Sequence, residues 1–224
     1  EPYLSDQWYV KVTDGRLAGA ALDAMAPDQR TDGGTAGSGK DQLRFTPARY
    51  AKTFQTWHEN IRDWCISRQL WWGHRIPVWS RAGAAAPGFE SGDSVAVRKD
   101  GEVTYICVRN EDPKIIEQLE AAGFEQDPDV LDTWFSSGLW PLSTMGWPDP
   151  AAFPDQIPEG NAVLDRWNPT NVLCTAREII TLWVSRMVMF NIYLRGCLPF
   201  AEVFIHAMIQ DGHGQKMSKS LGNG

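Results

Sequence analysis

Apolar residues recur at helical spacing at Leu17, Ala18, Ala21, Leu22 and Met25, and Pro27 ends the helix they predict. Residues 28–41 that follow are almost wholly Gly, Ser, Thr, Ala and charge, which is linker composition. Thr46-Pro47 reads as an N-cap with proline at the first helical position, opening an aromatic-rich helix through Tyr50, Phe54 and Trp57. The stretch CISRQLWWGHRIPVW predicts a short helix that breaks at Gly73 into a strand at 76–79. After a loose segment at 81–92, the alternation of Val95, Val97, Val103, Tyr105 and Cys107 around KDGE predicts a hairpin. Asp112-Pro113 opens a helix that Gly123 ends, and residues 129–145 read as a strand leading into a helix or turn. Prolines punctuate the chain to Pro169. The clearest unit comes last: an apolar strand at 172–174, a long helix from about residue 176 to 195, a strand at 203–209 and a glycine turn. Strand, long helix, strand is a βαβ crossover, so the fold class is α/β with part of a Rossmann-type parallel sheet.

Composition supports a folded chain. At 224 residues with 43% hydrophobic and 22% charged positions, enough apolar surface exists for a core, and no apolar run approaches the ~20 residues that cross a bilayer. A net charge of −7 argues against a surface devoted to gripping nucleic acid by counterion release, so any such contact should be local. Cys65, Cys107, Cys174 and Cys197 lie far apart without C-x-x-C spacing; they signal neither a disulfide framework nor a zinc site and suit a reducing cytoplasm. The chain opens on Glu1-Pro2-Tyr3 without a basic and apolar leader, and is read as an internal piece with no secretory signal. Eleven tryptophans are unusual; most belong to a core, and a few could wall a ligand pocket.

Two stretches carry possible phosphate chemistry. Residues 34–40 scan as G-x-x-x-x-G-K, yet a P-loop needs a strand before its glycines and Ser or Thr after its lysine, whereas AMAPDQRTDG precedes and Asp41 follows. The expectation is a flexible linker. At the far end, FIHAMIQ runs into DGHGQKMSKSLGNG, which offers a loop after a parallel strand with two lysines three residues apart.

Lys216-Met217-Ser218-Lys219-Ser220 is the KMSKS sequence of the class I aminoacyl-tRNA synthetases, and Ile205-His206 resembles that family's adenosine-facing strand. In order along the chain, ISRQLWWGHRIPVW at 66–79, DVLDTWFSSGLWP at 129–141 and LWVSRM at 182–187 resemble the valyl branch of the family. The isoleucyl branch usually reads RYWG where this chain has Leu70-Trp71-Trp72-Gly73, and WFDSG where it has Trp134-Phe135-Ser136-Ser137-Gly138. An isoleucyl- or leucyl-type synthetase remains the nearest alternative. A nucleotide- or single-strand-binding module without catalysis is the alternative of another class.

The resemblance implies a ligase that activates valine with ATP and passes it to tRNA(Val), in a cytoplasmic monomer without membrane contact. Adenylate formation is an in-line attack of a carboxylate on the α-phosphate, so catalysis is positioning plus neutralisation of charge on departing pyrophosphate. By resemblance, Lys216 and Lys219 neutralise those phosphates, with Lys219 the principal group. His206, Gly214, Met217, Ser218 and Ser220 complete the ATP site, and Gly212 and Gly214 let the loop close. Magnesium is expected with the nucleotide rather than in a protein cage, and no protein-bound zinc is expected. Trp134 and Trp183 are implied as walls of the amino-acid pocket. Glu178, where the family usually carries Asp, has two readings: contact with the substrate amino group or ribose, or the acid of a T-x-x-E capping box begun by Thr175. His74, Arg75, Arg186 and Met187 are read as packing or surface residues. The implied organisation is a return from the family's editing insertion at 1–79, a connective insertion at 80–128, and the second half of the catalytic domain at 129–224. No H-x-G-H occurs in the chain, so the isolated chain is expected to be inactive.

Overall fold

In the computed structural model, which describes residues 6–33, 42–83 and 88–223, Thr170–Ala176 runs parallel to Phe200–His206 in a continuous register from Thr170↔Phe200 to Ala176↔His206. This is the expected βαβ crossover, with the last strand starting at Phe200 and ending at His206 rather than running from 203 to 209. A third parallel strand, Arg44–Thr46, pairs with the other edge of Phe200–His206 through Glu202↔Arg44 and Phe204↔Thr46. Thr46 therefore does not cap a helix. Its hydroxyl donates to the Glu202 carboxylate at 2.5 Å, and the helix Ala51–Glu59 follows a 3-10 turn with no side-chain cap. The glycine-rich stretch at 34–40 lies outside the described residues.

The crossover helix is not uniform. It opens with a 3-10 turn at Arg177–Ile179, widens into a π-helical turn at Ile180–Val184, and becomes α-helical only over Ser185–Arg195. Ser185 through Asn191 are all buried, so for about two turns this helix has no solvent face, which marks it as the centre of its unit. Gly196 ends it at φ +73, the left-handed conformation that a residue without Cβ adopts freely. Its buried asparagine is bonded inside the core. Asn191 and Asn168 exchange amide bonds of 2.8 and 2.9 Å, and Asn191 also donates to the Cys197 carbonyl. Phe45, Phe54, Met25 and Leu43 are fully buried in the same unit, where the Phe45 and Phe54 rings lie 5.3 Å apart.

His58 belongs to this core. Its Nδ1 lies 2.8 Å from the Phe54 carbonyl and so carries the proton, leaving Nε2 to accept from the Ser185 hydroxyl at 3.0 Å. Burial, with Arg186 nearby, pulls its pKa from the usual 6.5 to about 4 against the opposing pull of the Phe54 carbonyl. The folded state thus favours neutral imidazole: its contribution is complete above pH 6.5 and is lost as pH falls toward 4. Between pH 7.5 and 5 the loss should be about 2 kcal/mol. Urea midpoints compared with those of His58→Gln check this; equal pH dependence in both proteins would contradict it.

The chain divides into two compact units. The one just described comprises Tyr9–Trp64 and Trp134–Gly224; the other comprises Cys65–Thr133 with the N-terminal residues through Trp8. In the second, the predicted hairpin forms as Val95–Asp100 against Val103–Val108, with Gly101 at φ +57 in the turn. It continues through Val78–Ala82 and Glu125–Gln126 into a four-stranded antiparallel sheet over Trp79, Ile106, Val108, Leu119 and Phe124. Asp112 caps the helix Pro113–Ala121 by accepting from the Lys114 N–H, and Gly123 follows at φ +78.

The helix expected at the start of CISRQLWWG does not form. Ser67–Arg68 is instead a short strand paired with Val130–Leu131, and the strand expected at 76–79 runs Val78–Ala82. Arg68 explains the extended path: its guanidinium binds the backbone carbonyls of Cys65 and Ser67 and the Asp132 carboxylate. Trp71 and Trp72, 97% and 89% exposed, supply no buried helical face. Arg81 and Ala82, assigned by pattern to a loose segment, complete the strand. No helix among the described residues is long and apolar enough to cross a membrane.

Candidate active site at the carboxyl edge of the parallel sheet

Because Ala176 and His206 are register partners at the ends of neighbouring parallel strands, the residues after each leave the same edge of the sheet. Glu178 follows one strand and the lysine loop follows the other. In open α/β sheets this carboxyl edge is where ligands bind.

The loop has internal structure. Gln210 and Lys216 form an antiparallel bridge, closed by the Asp211 N–H to Gln215 carbonyl bond at 2.9 Å, with Gly214 at φ +76. One oxygen of Asp211 accepts from the N–H groups of His213 and Gln215, each at 2.9 Å, and the other accepts from the Asn223 amide at 2.8 Å. Asn223 in turn accepts from the Ser218 N–H at 2.9 Å. These donors hold the Asp211 carboxyl below the usual carboxylate range, the Asn223 amide most strongly, then the N–H groups of Gln215 and His213. Ser218 and Ser220 face each other at 3.1 Å, and Met217 is half-buried. Lys216 and Lys219 are exposed, and neither forms an ion pair with a carboxylate among the described residues. His206 is exposed too; its Nδ1 donates to the Ala207 carbonyl at 2.8 Å, which leaves Nε2 an acceptor.

Trp183 sits in the π-helical turn, half-buried, and its indole N–H donates to the Ser137 carbonyl at 2.9 Å. Ser137 lies in the helix Thr133–Gly138, which also carries Trp134. One hydrogen bond thus ties the element bearing one predicted wall to the element bearing the other. A π-turn is an uncommon helical insertion that recurs at functional sites. Gly138 ends the Thr133–Gly138 helix against the central helix: a Cβ there would lie 2.8 Å from Arg186 Cβ and 3.1 Å from the Phe190 ring. Gly138→Ala should therefore lower stability by about 1–3 kcal/mol. A denaturant midpoint unchanged from the parent sequence would contradict that.

Glu178 does not form the capping box. Ala176 is the N-cap residue and makes no side-chain bond, while Thr175 lies buried inside its strand. Glu178 Oε1 accepts from Arg177 Nε at 3.2 Å, but Oε2 is buried with no hydrogen-bond partner among the described residues. A buried acceptor without a donor is costly, and an ammonium group would satisfy it. Arg186, 5% exposed, packs its guanidinium 4.1 Å from the Trp64 ring centre, a helix-packing role. The apolar cavity of about 360 Å³ lined by Leu17, Phe135, Leu139, Phe190 and Leu194, among others, contains none of the predicted site residues.

Pattern reading missed Asp211 and Asn223. The Asp-Gly step at 211–212 was the available signal, since Asp side chains bond the backbone two residues on. Among the described residues no group of three or more His, Cys, Asp or Glu could hold a metal ion.

The family model for tRNA synthetases class I (I, L, M and V) matches residues 1–224. The valine–tRNA ligase of Rhodopirellula baltica is 44% identical over 246 residues, covering 100% of this chain and 21% of that protein. That of Geobacillus kaustophilus is 47% identical over 224 residues, covering 100% and 20%. The chain thus spans about a fifth of the length of the curated relatives it matches. Among solved structures, the ternary complex of Agrobacterium radiobacter K84 agnB2 LeuRS with tRNA and LeuAMS covers 73% of this chain and 22% of that one at 22% identity, with a TM-score of 0.46.

Proposed function

The chain belongs to the class I tRNA synthetases, and from that premise we propose that it is the part of a valine–tRNA ligase that holds the amino-acid pocket and the mobile half of the ATP site. The enzyme activates valine with ATP to valyl adenylate and transfers valine to tRNA(Val). The observation that carries this reading is the shared carboxyl edge of the parallel sheet, where Glu178 and the lysine loop emerge from register-paired strand ends. The identity of 43–47% to relatives named valine–tRNA ligase supports valine as the amino acid.

Each residue then has a stated task. Trp134 and Trp183 bound an aliphatic side chain by shape, since such a substrate offers nothing to hydrogen-bond. The vacant acceptor Glu178 Oε2 receives the substrate ammonium and so sets the carboxylate's direction of attack. Lys216 and Lys219, exposed and not paired with carboxylates among the described residues, are free to meet the charge that develops on pyrophosphate. His206, Gly214, Met217, Ser218 and Ser220 line the nucleotide side of the loop. Magnesium is the ion that accompanies ATP, held through its phosphates.

The test is amino-acid-dependent ATP–pyrophosphate exchange by the full-length protein that carries this chain. Exchange should require valine and be much weaker with isoleucine at equal concentration. Exchange led by isoleucine or leucine would reject valine as substrate, and no exchange with any aliphatic amino acid would reject the reaction.

A further inference from the structure

We propose that Asp211 and Asn223 form a side-chain clasp that holds the lysine loop in its phosphate-meeting shape, which makes them positioning residues for adenylate formation. The proposal rests on the reading in which this loop meets ATP.

The loop has little buried side chain to shape it: every residue from Gly212 to Lys216, and again from Lys219 to Gly222, is exposed. Its form must come from hydrogen bonds. The Asp211–Asn223 bond, spanning twelve residues, closes the segment around both lysines. The two ends divide the work. Asp211 organises the first half through the N–H groups of His213 and Gln215, and so sets the bridge that carries Lys216. Asn223 organises the second half through the Ser218 N–H, next to Lys219, and its amide lies 3.4 Å from the Lys216 carbonyl. Opening the clasp leaves each half its local bonds but frees one lysine relative to the other. The ordering would then fall on the step in which both must reach the same phosphates.

The polarity of the clasp makes a sharp test. Asp211 only accepts: two backbone N–H groups on one oxygen and the Asn223 amide on the other. Asn223 donates to Asp211 with its nitrogen and accepts from Ser218 with its oxygen. Asn223→Asp keeps the second bond but sets carboxylate against carboxylate. Exchanging the pair, Asp211→Asn with Asn223→Asp, restores the bonds to His213, Gln215 and Ser218 and the one between the two side chains, and gives up only the long 3.4 Å bond to the Lys216 carbonyl: the new amide at 211 accepts the two N–H groups and donates across, and the new carboxylate at 223 accepts from both sides.

Valine-dependent ATP–pyrophosphate exchange is measured on the full-length enzyme, with KM for ATP and for valine determined separately. Asn223→Asp should lower kcat/KM for ATP by about tenfold, the worth of one charge-assisted hydrogen bond, and Asn223→Ala, which also gives up the Ser218 bond, by at least as much, with KM for valine unchanged in both. The exchanged pair should return to within about threefold of the unsubstituted enzyme. A single Asn223→Asp enzyme at full activity, or an exchanged pair no better than that single variant, would overturn the clasp while leaving the functional reading intact. Absence of exchange in the unsubstituted enzyme would instead overturn the functional reading, and the clasp with it.

Discussion

Lys219→Ala in the full-length enzyme should lower the rate of valyl adenylate formation by about 10² to 10³-fold, the range for removing one group that stabilises charge developing in a transition state. The expectation follows from where the residue stands. Lys219 is exposed and forms no ion pair with a carboxylate among the described residues, so its removal costs the fold little. Its neighbours hold the loop without it: Asn223 accepts from Ser218, and the Leu221 and Gly222 N–H groups turn back onto the Ser218 carbonyl. The loss should therefore appear in kcat for exchange and in KM for ATP, with the melting temperature and KM for valine unchanged. Lys219→Arg should recover only part of the rate, because a planar fork does not reproduce a compact ammonium. Single-turnover adenylate formation is the readout, and a loss below about tenfold would remove Lys219 from the chemistry.

Trp183→Ala should have the second largest effect, a fall of about 10²-fold in kcat/KM for valine, or about 3 kcal/mol. Two losses combine. On the proposed reading the indole is one wall of a pocket that recognises its ligand by shape, and its N–H bond to the Ser137 carbonyl ties it to the helix that carries Trp134, the other proposed wall. Trp183→Phe separates them: it keeps an aromatic wall but no donor, so it should fall between the unsubstituted enzyme and the alanine variant. Preference for valine over isoleucine should narrow in both. Steady-state kinetics with each amino acid decides, and an alanine variant with unaltered preference would place the specificity elsewhere.

The parts of this picture that pattern reading reached are those whose information is local. Thr170–Ala176, the long helix and Phe200–His206 were legible because an apolar run, a helical stretch and a second apolar run admit one right-handed parallel arrangement. Asp112, Pro113 and Gly123 mark their helix in place. Arg44–Thr46 was hidden, since three residues carry no period and only the neighbouring strand makes them one. The stretch around Leu70, Trp71 and Trp72 misled for the opposite reason: it looks like a buried face, while Arg68, bonded to Asp132 sixty-four positions away, draws the chain out straight and leaves both indoles in solvent. In the candidate site, the lysines and tryptophans stand out in the sequence as residue types. The bond from Trp183 to Ser137 crosses 46 positions, and the clasp from Asp211 to Asn223 needs the loop to fold back first. Glu178 offered two roles on sequence, and the absent cap together with a buried, unpartnered oxygen favours the substrate amine.

Calorimetric binding of a non-hydrolysable valyl-adenylate analogue to the full-length protein, beside the isoleucyl and threonyl analogues and with Trp183→Ala as control, decides whether valine is the substrate that this pocket holds. Binding should prefer the valyl analogue over the isoleucyl one and be lost or severely weakened without Trp183. Equal binding of the valyl and isoleucyl analogues, or valyl binding untouched by Trp183→Ala, would contradict it.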